Sequence, residues 1–340
     1  MSEIVLGVAA SHSTLMNTHW ADVDHVPGAH AFRDGLGAAR DALAAARPDA
    51  VVVLGSNHFR GMFLDLMPAF TVGVGEVLGA GEAGTPSGPL PVDTVLARQL
   101  VDGLVAGGFD PAFSLRLTVD HGITHALQHL LPELTVPIVP VVVNMFAPPL
   151  PSLRRSHDLG ARIGELLRAD GSDRRVAVIA SGGLSHHLPW PKWTETLSDD
   201  DRFLVEAWLN GRTSWKDYEV RRRQIILAAQ PDINPDFDRE FLDLITSGDA
   251  ARIDALLRRT DEDLESEAGN GAHEIRSWLA MAAAVGTPGR PATGTTLAYA
   301  DMPQWLTGMG AVVLNPATAS SNDTAPSNDT ASPNDTENAA

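Results

Sequence analysis

The 340-residue chain contains no cysteine. That excludes disulfides, thiolate metal sites and a cysteine nucleophile, and leaves histidine, aspartate and glutamate as the metal-binding side chains available. It also has no run of about eighteen apolar residues, so no helical membrane span is expected. The opening MSEIVLGVAASHS lacks a basic stretch, and its apolar run is too short for a signal peptide. A cytoplasmic protein is therefore expected. Positive charge is scarce: 25 basic residues stand against 43 acidic ones, a formal net charge of −18. Nucleic acid and anionic membranes are accordingly not expected as partners.

What is present is the composition of a globular enzyme, 44% apolar and 20% charged. Strand-like and helix-like segments alternate through the first half. Strands are expected at Ile4–Ala10, Ala50–Ser56, Phe70–Leu78, Phe113–Val119, Val136–Asn144 and Val176–Ala180. Helices are expected at Ala31–Ala46, Val92–Val105 and Leu153–Ala169, with THWADVDHVPGAH and Gly79–Pro91 as loops. From Ser198 to Val285 the pattern turns helical, with helices expected at Asp199–Leu209, Trp215–Ala229, Phe237–Ser247, Ala250–Arg258 and His273–Ala284, before returning strands at Thr296–Ala300 and Gly310–Leu314. The expected fold is α/β: a central, partly parallel twisted sheet flanked by helices, with a helical insertion over its active edge. Residues 1–316 read as a single catalytic domain, with the insertion at about 198–285. Residues 317–340 carry imperfect SNDT copies with nothing aliphatic to bury, and a disordered tail is expected there. Without that tail 39 acids still face 25 bases, so the acidity belongs to the body.

The chemistry is read from histidines. His12, His58, His121 and His186 each follow directly on an expected strand end, where open α/β sheets receive ligands. The run VAVIASGGLSHH, at 176–187, adds Ser181-Gly182-Gly183, whose glycines suit a sharp turn with φ > 0 and close substrate approach. Glu274, in GAHEIRSWLAM, opens a helix and is the best-placed carboxylate to complete a metal site. Two imidazoles and one carboxylate on one face of a divalent ion leave its other positions open, as in non-haem Fe(II) oxygenases. A zinc hydrolase could use the same set. His121, His125 and His129, spaced i, i+4 and i+8, form a further candidate metal face on one helix, although His125 and His129 read equally well as solvated residues. A non-catalytic binding protein on the same fold stays open as well.

Taken together, ASHS at His12, SNHF at His58, VDHG at His121, SGGLSHH at His186 and HEIRSW at Glu274 resemble the class III extradiol dioxygenases, the superfamily of the protocatechuate 4,5-dioxygenase β subunit. The likeness runs from the first strand to about Leu314 and includes FLDLMPAFTVGVG, GPLPV and PQWLTGMG. It implies Fe(II) held by His12, His58 and Glu274, with His186 and His121 in acid-base roles and Asp120 beside His121 as its partner. It implies an aromatic diol and O2 as substrates, with an aminophenol or a dihydroxypyridine as the alternative ring, and a homo-oligomer. Close relatives in the family take a catechol with an anionic side chain, of the 2,3-dihydroxyphenylpropionate kind. Arg60 is the candidate cation for it, with His187 as a further substrate contact. Two departures stand out: Asn57 where relatives have Asp before the ligand histidine, and Leu188 where Pro follows the catalytic one. Without a carboxylate at position 57, the tuning of His58 is left without an evident source.

Overall fold

A computed structural model describes residues 2–195 and 198–316. The proposed tail at 317–340 lies outside the described residues. In chain order the elements are β1 (Glu3–Ala10), α1 (Thr14–Thr18), α2 (Pro27–Ala46), β2 (Ala50–Gly55), β3 (Phe70–Ala80), β4 (Ser87–Pro89), α3 (Thr94–Ala106), β5 (Ala112–Val119), α4 (His121–Leu130), β6 (Ile138–Val143), α5 (Leu153–Ala169) and β7 (Arg175–Ser181). There follow α6 (Asp199–Leu227), α7 (Pro235–Ser247), α8 (Ala250–Leu256), α9 (Asp261–Ala268), α10 (Ile275–Val285), β8 (Thr293–Met302) and β9 (Thr307–Asn315).

The sheet runs β4-β3-β6-β2-β7-β1-β9-β8, with β5 added alongside β3. Its centre is parallel, because β6, β2, β7 and β1 all run the same way. The sequences AVVVLG of β2 and IVPVVV of β6 are buried at every position. Such unbroken apolar runs are required when both faces of a strand are covered. Alternate residues serve the two faces: Val52, Leu54 and Val178 join the side holding α3, α5 and α10, while Val51, Val53 and Ile179 join the side holding α2 and α4. Burying each such side chain stabilises the fold by about 1.5–3 kcal/mol, which makes this centre a stiff platform.

Register places the functional edge. Ala10 pairs with Ser181, and Leu54 pairs with Ala180, so β1, β2 and β7 end level with one another. The β5 strand departs from the expected parallel arrangement. It is parallel to β3, and β3 is antiparallel to β6, so β5 runs against the core strands. The pairing of β3 with β6 covers only Phe70–Val72, and a register shift between Gly73 and Glu76 lets the β3–β5 pair swing back toward the end of β2. Glycines permit the closure: a Cβ on Gly61 would lie 1.8 Å from the Thr118 carbonyl, and one on Gly55 2.0 Å from that of Gly122.

The helical block from Ser198 differs in detail from its expected form. The two helices read at Asp199–Leu209 and Trp215–Ala229 are one, bent at Ser214 (φ −127°). Within this block, α6 is the helix whose described residues line the cavity at the active edge. The α7 helix packs on β8 and β9, and α10 lies against α5 and β7 as part of the core. Segment α9, which has little apolar periodicity, was not anticipated; a Thr260–Asp263 capping box starts it.

Candidate active site

His12 sits two residues beyond β1, clamped by its neighbours. Ser11 Oγ donates to the Gly308 carbonyl at 3.3 Å and Ser13 Oγ to that of Trp305 at 2.7 Å. His12 Nδ1 bonds Ser181 Oγ at 2.8 Å, which leaves Nε2 facing inward. His58 follows β2 on a turn that forces Phe59 to φ +60°. That left-handed backbone costs a non-glycine residue about 1–2 kcal/mol, offset by burial of the Phe59 ring in a stack on Trp208 with centroids 4.3 Å apart. Glu274 ends a 3-10 turn, Asn270–Glu274, leading into α10, so it lies just before the helix instead of within its first turn.

These three side chains converge. His12 Nε2 lies 3.0 Å from Glu274 Oε1 and 3.4 Å from His58 Nε2, and His58 Nε2 lies 3.5 Å from the same carboxylate oxygen. All three residues are buried. Two imidazole nitrogens and a carboxylate oxygen at these separations match donors sharing one divalent ion at bonds of about 2.0–2.2 Å. The carboxylate is fixed at both oxygens: Ser56 Oγ donates to Oε1 at 2.5 Å and the Gly183 N–H to Oε2 at 2.6 Å. Burial raises the Glu274 carboxyl, but interactions with His12 and then His58 outweigh it and hold the group well below the ordinary range. It is a carboxylate, as a ligand must be.

Asp120 departs from its expected role. Its Oδ2 accepts the backbone N–H of His58 at 2.5 Å, its Oδ1 is 3.3 Å from His58 Nδ1, and Oδ1 also accepts the Gly122 N–H at the start of α4. The carboxylate on His121 is Glu82, which bonds Nδ1 at 2.9 Å and the backbone N–H at 2.5 Å. Glu82 lies in the loop between β3 and β4, where no motif announced it. Asn57 resolves differently too: its amide bonds the Met62 N–H and carbonyl, at 3.0 and 2.9 Å, and ties the turn after β2. The carboxylate that tunes His58 is therefore supplied by Asp120.

His186 Nδ1 bonds the Leu184 carbonyl at 2.8 Å and Thr307 Oγ1 at 3.0 Å. A carbonyl only accepts, so Nδ1 carries the hydrogen and Nε2 is a free base. Burial lowers the His186 pKa, with Glu274 opposing it. His121 is lowered to about 4, first by burial and then by His58, against the effect of Glu82. It stacks on His58 with centroids 3.8 Å apart. The two glycines after β7 do not take φ > 0; they allow close approach, since a Cβ on Gly182 would lie 2.8 Å from that of Glu274. The position needing left-handed backbone is Gly269 (φ +80°), where a Cβ would strike the His186 carbonyl at 2.2 Å.

His12, His58, His121, His186 and Glu274 all open into one cavity of about 950 Å³, counting its mouth. Arg60 lines it as well, though its Nη2 is paired with Glu219 Oε2 at 2.9 Å. His187 is not among the residues lining the cavity: it is exposed, and its backbone N–H bonds the Pro231 carbonyl. Leu188 lines the cavity and donates its N–H to Asn270 Oδ1 at 2.8 Å, a bond no proline could make. The one-helix metal face is not formed. His125 is buried with Nε2 unpartnered, and His129 is half-buried, stacked on Trp20 and bonded to Asn17 Oδ1 at 3.2 Å. Arg222, on α6, was not anticipated; it is a buried cation on the cavity wall, and burial together with Arg60 pushes it down to about 9.

At one edge of a wide α/β sheet, the ends of β1, β2, β5 and β7 and the turn before α10 bring a His/His/Glu donor set and two further histidines into one cavity, the build of a metal-dependent enzyme of the ring-opening dioxygenase class. Residues 7–310 match the family of the catalytic LigB subunit of aromatic ring-opening dioxygenase, and the chain belongs to that family. Among curated proteins it is similar to the 2,3-dihydroxyphenylpropionate/2,3-dihydroxicinnamic acid 1,2-dioxygenase of Rhodococcus jostii, at 35% identity over 80% of this chain and 87% of that one. The enzyme of the same description from Burkholderia vietnamiensis is 35% identical over 83% of this chain and 89% of its own. That from Mycolicibacterium smegmatis is 34% identical over 91% and 97%. The chain is an extradiol ring-cleaving dioxygenase, and its relatives lend no support to a hydrolase. Among the described residues no helix is long and apolar enough to cross a membrane.

Proposed function

We propose that this enzyme opens the ring of a monocyclic catechol bearing an anionic side chain, of the 2,3-dihydroxyphenylpropionate kind, using Fe(II) held by His12, His58 and Glu274. The observation that carries the reading is the 3.0–3.5 Å triangle of His12 Nε2, His58 Nε2 and Glu274 Oε1 at the floor of the cavity. Bound there, Fe(II) would supply chelation of the two ring oxygens and activation of O2.

The chain's own groups supply positioning and proton transfer. His186 accepts the second phenolic proton at Nε2, because its Nδ1 hydrogen is committed to the Leu184 carbonyl. His121 is the proton donor for the later bond-breaking steps. It starts neutral, with its pKa near 4, and must gain a proton at Nε2 to act. The resulting charge faces Glu82 at 2.9 Å on Nδ1, whereas His186 Nδ1 meets only neutral acceptors. That contrast favours His121 as the group that holds a proton and His186 as the one that first takes it. Trp190, set edge-on to His58 at 5.5 Å, and Leu188 give the cavity an apolar side for the ring.

The test is O2 uptake and ring-opened product by the Fe(II)-loaded enzyme across catechols, 2-aminophenols and dihydroxypyridines. The reading expects the catechols to be opened, the carboxylated one with the highest kcat/KM. Preference for an aminophenol or a pyridinediol would replace the substrate class.

A further inference from the structure

Arg222 is anomalous among the buried arginines. It is only 7% exposed, its Nε is sealed from solvent with no acceptor, and among the described residues its guanidinium has no hydrogen bond or ion pair. Arg276, buried more deeply still, is satisfied by the Pro151 carbonyl, His273 and Asp261. A buried cation without acceptors is destabilising by itself, and a second one nearby adds to the cost. The second is Arg60, whose Nη1 is also buried and unpartnered. Both lie against the Trp215 ring, with Cζ 3.5 Å from its centroid for Arg60 and 4.9 Å for Arg222. Of the carboxylates whose charge reaches Arg222, none pairs with it: Glu219 Oε2 accepts from Arg60 Nη2 and Trp215 Nε1, Glu82 holds His121, and Asp120 holds His58.

Both arginines line the cavity that holds His12, His186 and Glu274. A ligand there meets acid-base histidines and the metal-binding donors on the sheet side, and a guanidinium without a hydrogen-bonded acceptor on the α6 side. Within a body of net negative charge the long-range field opposes anions, so a local fork donor has to do the selecting. We propose that Arg222 is the specificity-determining residue for the substrate's carboxylate, that Arg60 flanks it, and that Glu219 competes with the substrate for this pair. The proposal rests on reading the cavity as a ring-diol site, but it concerns the other end of the ligand.

The test separates the two. Calorimetric titration uses 3-phenylpropionate, which has no hydroxyl groups to bind a metal, and its neutral analogue 3-phenylpropionamide. Wild type is expected to bind the acid at least about tenfold tighter than the amide, and Arg222→Met to lose about 10–10²-fold in affinity for the acid alone, the range for a hydrogen bond to a charged group. Arg222→Lys is expected to keep part of the discrimination as a point charge, and Glu219→Gln to bind the acid more tightly than wild type. The two conservative variants keep the question open to refutation should the methionine variant fold poorly. Equal affinity for acid and amide in wild type, undiminished discrimination in Arg222→Met, or no tightening in Glu219→Gln would overturn the proposal. Arg222-dependent binding of the acid in an enzyme that opens no catechol would uphold the anion site and remove the ring-diol reading instead.

Discussion

Asp120 belongs to His58: one carboxylate oxygen takes the His58 backbone N–H at 2.5 Å, while the other stands 3.3 Å from the imidazole Nδ1. Burial opposes ionisation of this carboxyl, yet the bonds and charge it shares with His58 hold it well below the usual range. An ionised partner on Nδ1 orients the ring and makes Nε2 a stronger donor. Asp120→Asn is therefore expected to weaken Fe(II) binding by about 10–100-fold, read by metal titration under argon. Unchanged metal affinity would place Asp120 on His121 after all.

Replacing the acid-base groups should separate chemistry from metal binding. His186→Ala and His121→Ala are each expected to keep iron and lose about 10²–10⁴-fold in kcat. Glu82→Gln should act like a milder His121 variant, because it removes the charge facing Nδ1. A variant with near wild-type turnover would drop out of the mechanism.

Gly271 offers a test of placement. A Cβ there would fall 2.2 Å from His186 Nε2, and the ring is the part free to move. Gly271→Ala is expected to displace the imidazole, lowering kcat by about 10²-fold with a much smaller effect on Tm. Full activity would show that Nε2 does not need its present position.

How far the sequence foretold the site depends on what kind of feature carried each residue. His12, His58 and His186 were legible because continuous apolar strands precede them, and strand ends in parallel sheets share an edge. Glu274 was legible through HEIRSW. Glu82 was not, since it stands in a Gly- and Pro-rich loop that nothing in the local pattern ties to His121. Arg222 was hidden because α6 has a polar composition in which any arginine reads as a solvated face. Asp120 stands beside His121 in the chain, and it reaches His58 because the antiparallel pairing of β3 with β6 reverses β5, a strand direction that sequence periodicity does not encode. The bend at Ser214 interrupts the helical period, so the sequence pattern reads as two helices where there is one.

Acidification should destabilise the metal-free protein. His121 and His129 are lowered from 6.5 to about 4, and His125 and His186 are lowered as well, in each case chiefly by burial. Below about pH 6.5 the unfolded chain binds protons that these buried rings refuse, so stability falls as pH drops toward 4. Asp238 works in the opposite sense: burial raises it from 3.8 to about 6, and it gains stability over part of that window. Four histidines outweigh one aspartate, so Tm is expected to fall steadily from pH 7 to pH 5. A flat or rising Tm would contradict the buried neutral histidines.

His12, His58 and Glu274 are expected to hold one Fe(II) that opens a catechol ring. This expectation is tested most directly by loading the metal-free protein anaerobically with Fe(II), measuring bound iron, and then following O2 uptake with 2,3-dihydroxyphenylpropionate in wild type, His12→Ala and Glu274→Ala. One iron per wild-type chain and one O2 consumed per ring opened are expected, with iron and turnover lost together in both variants. Iron retained by both variants, or a fully loaded wild type that takes up no O2 with any catechol, would contradict that expectation.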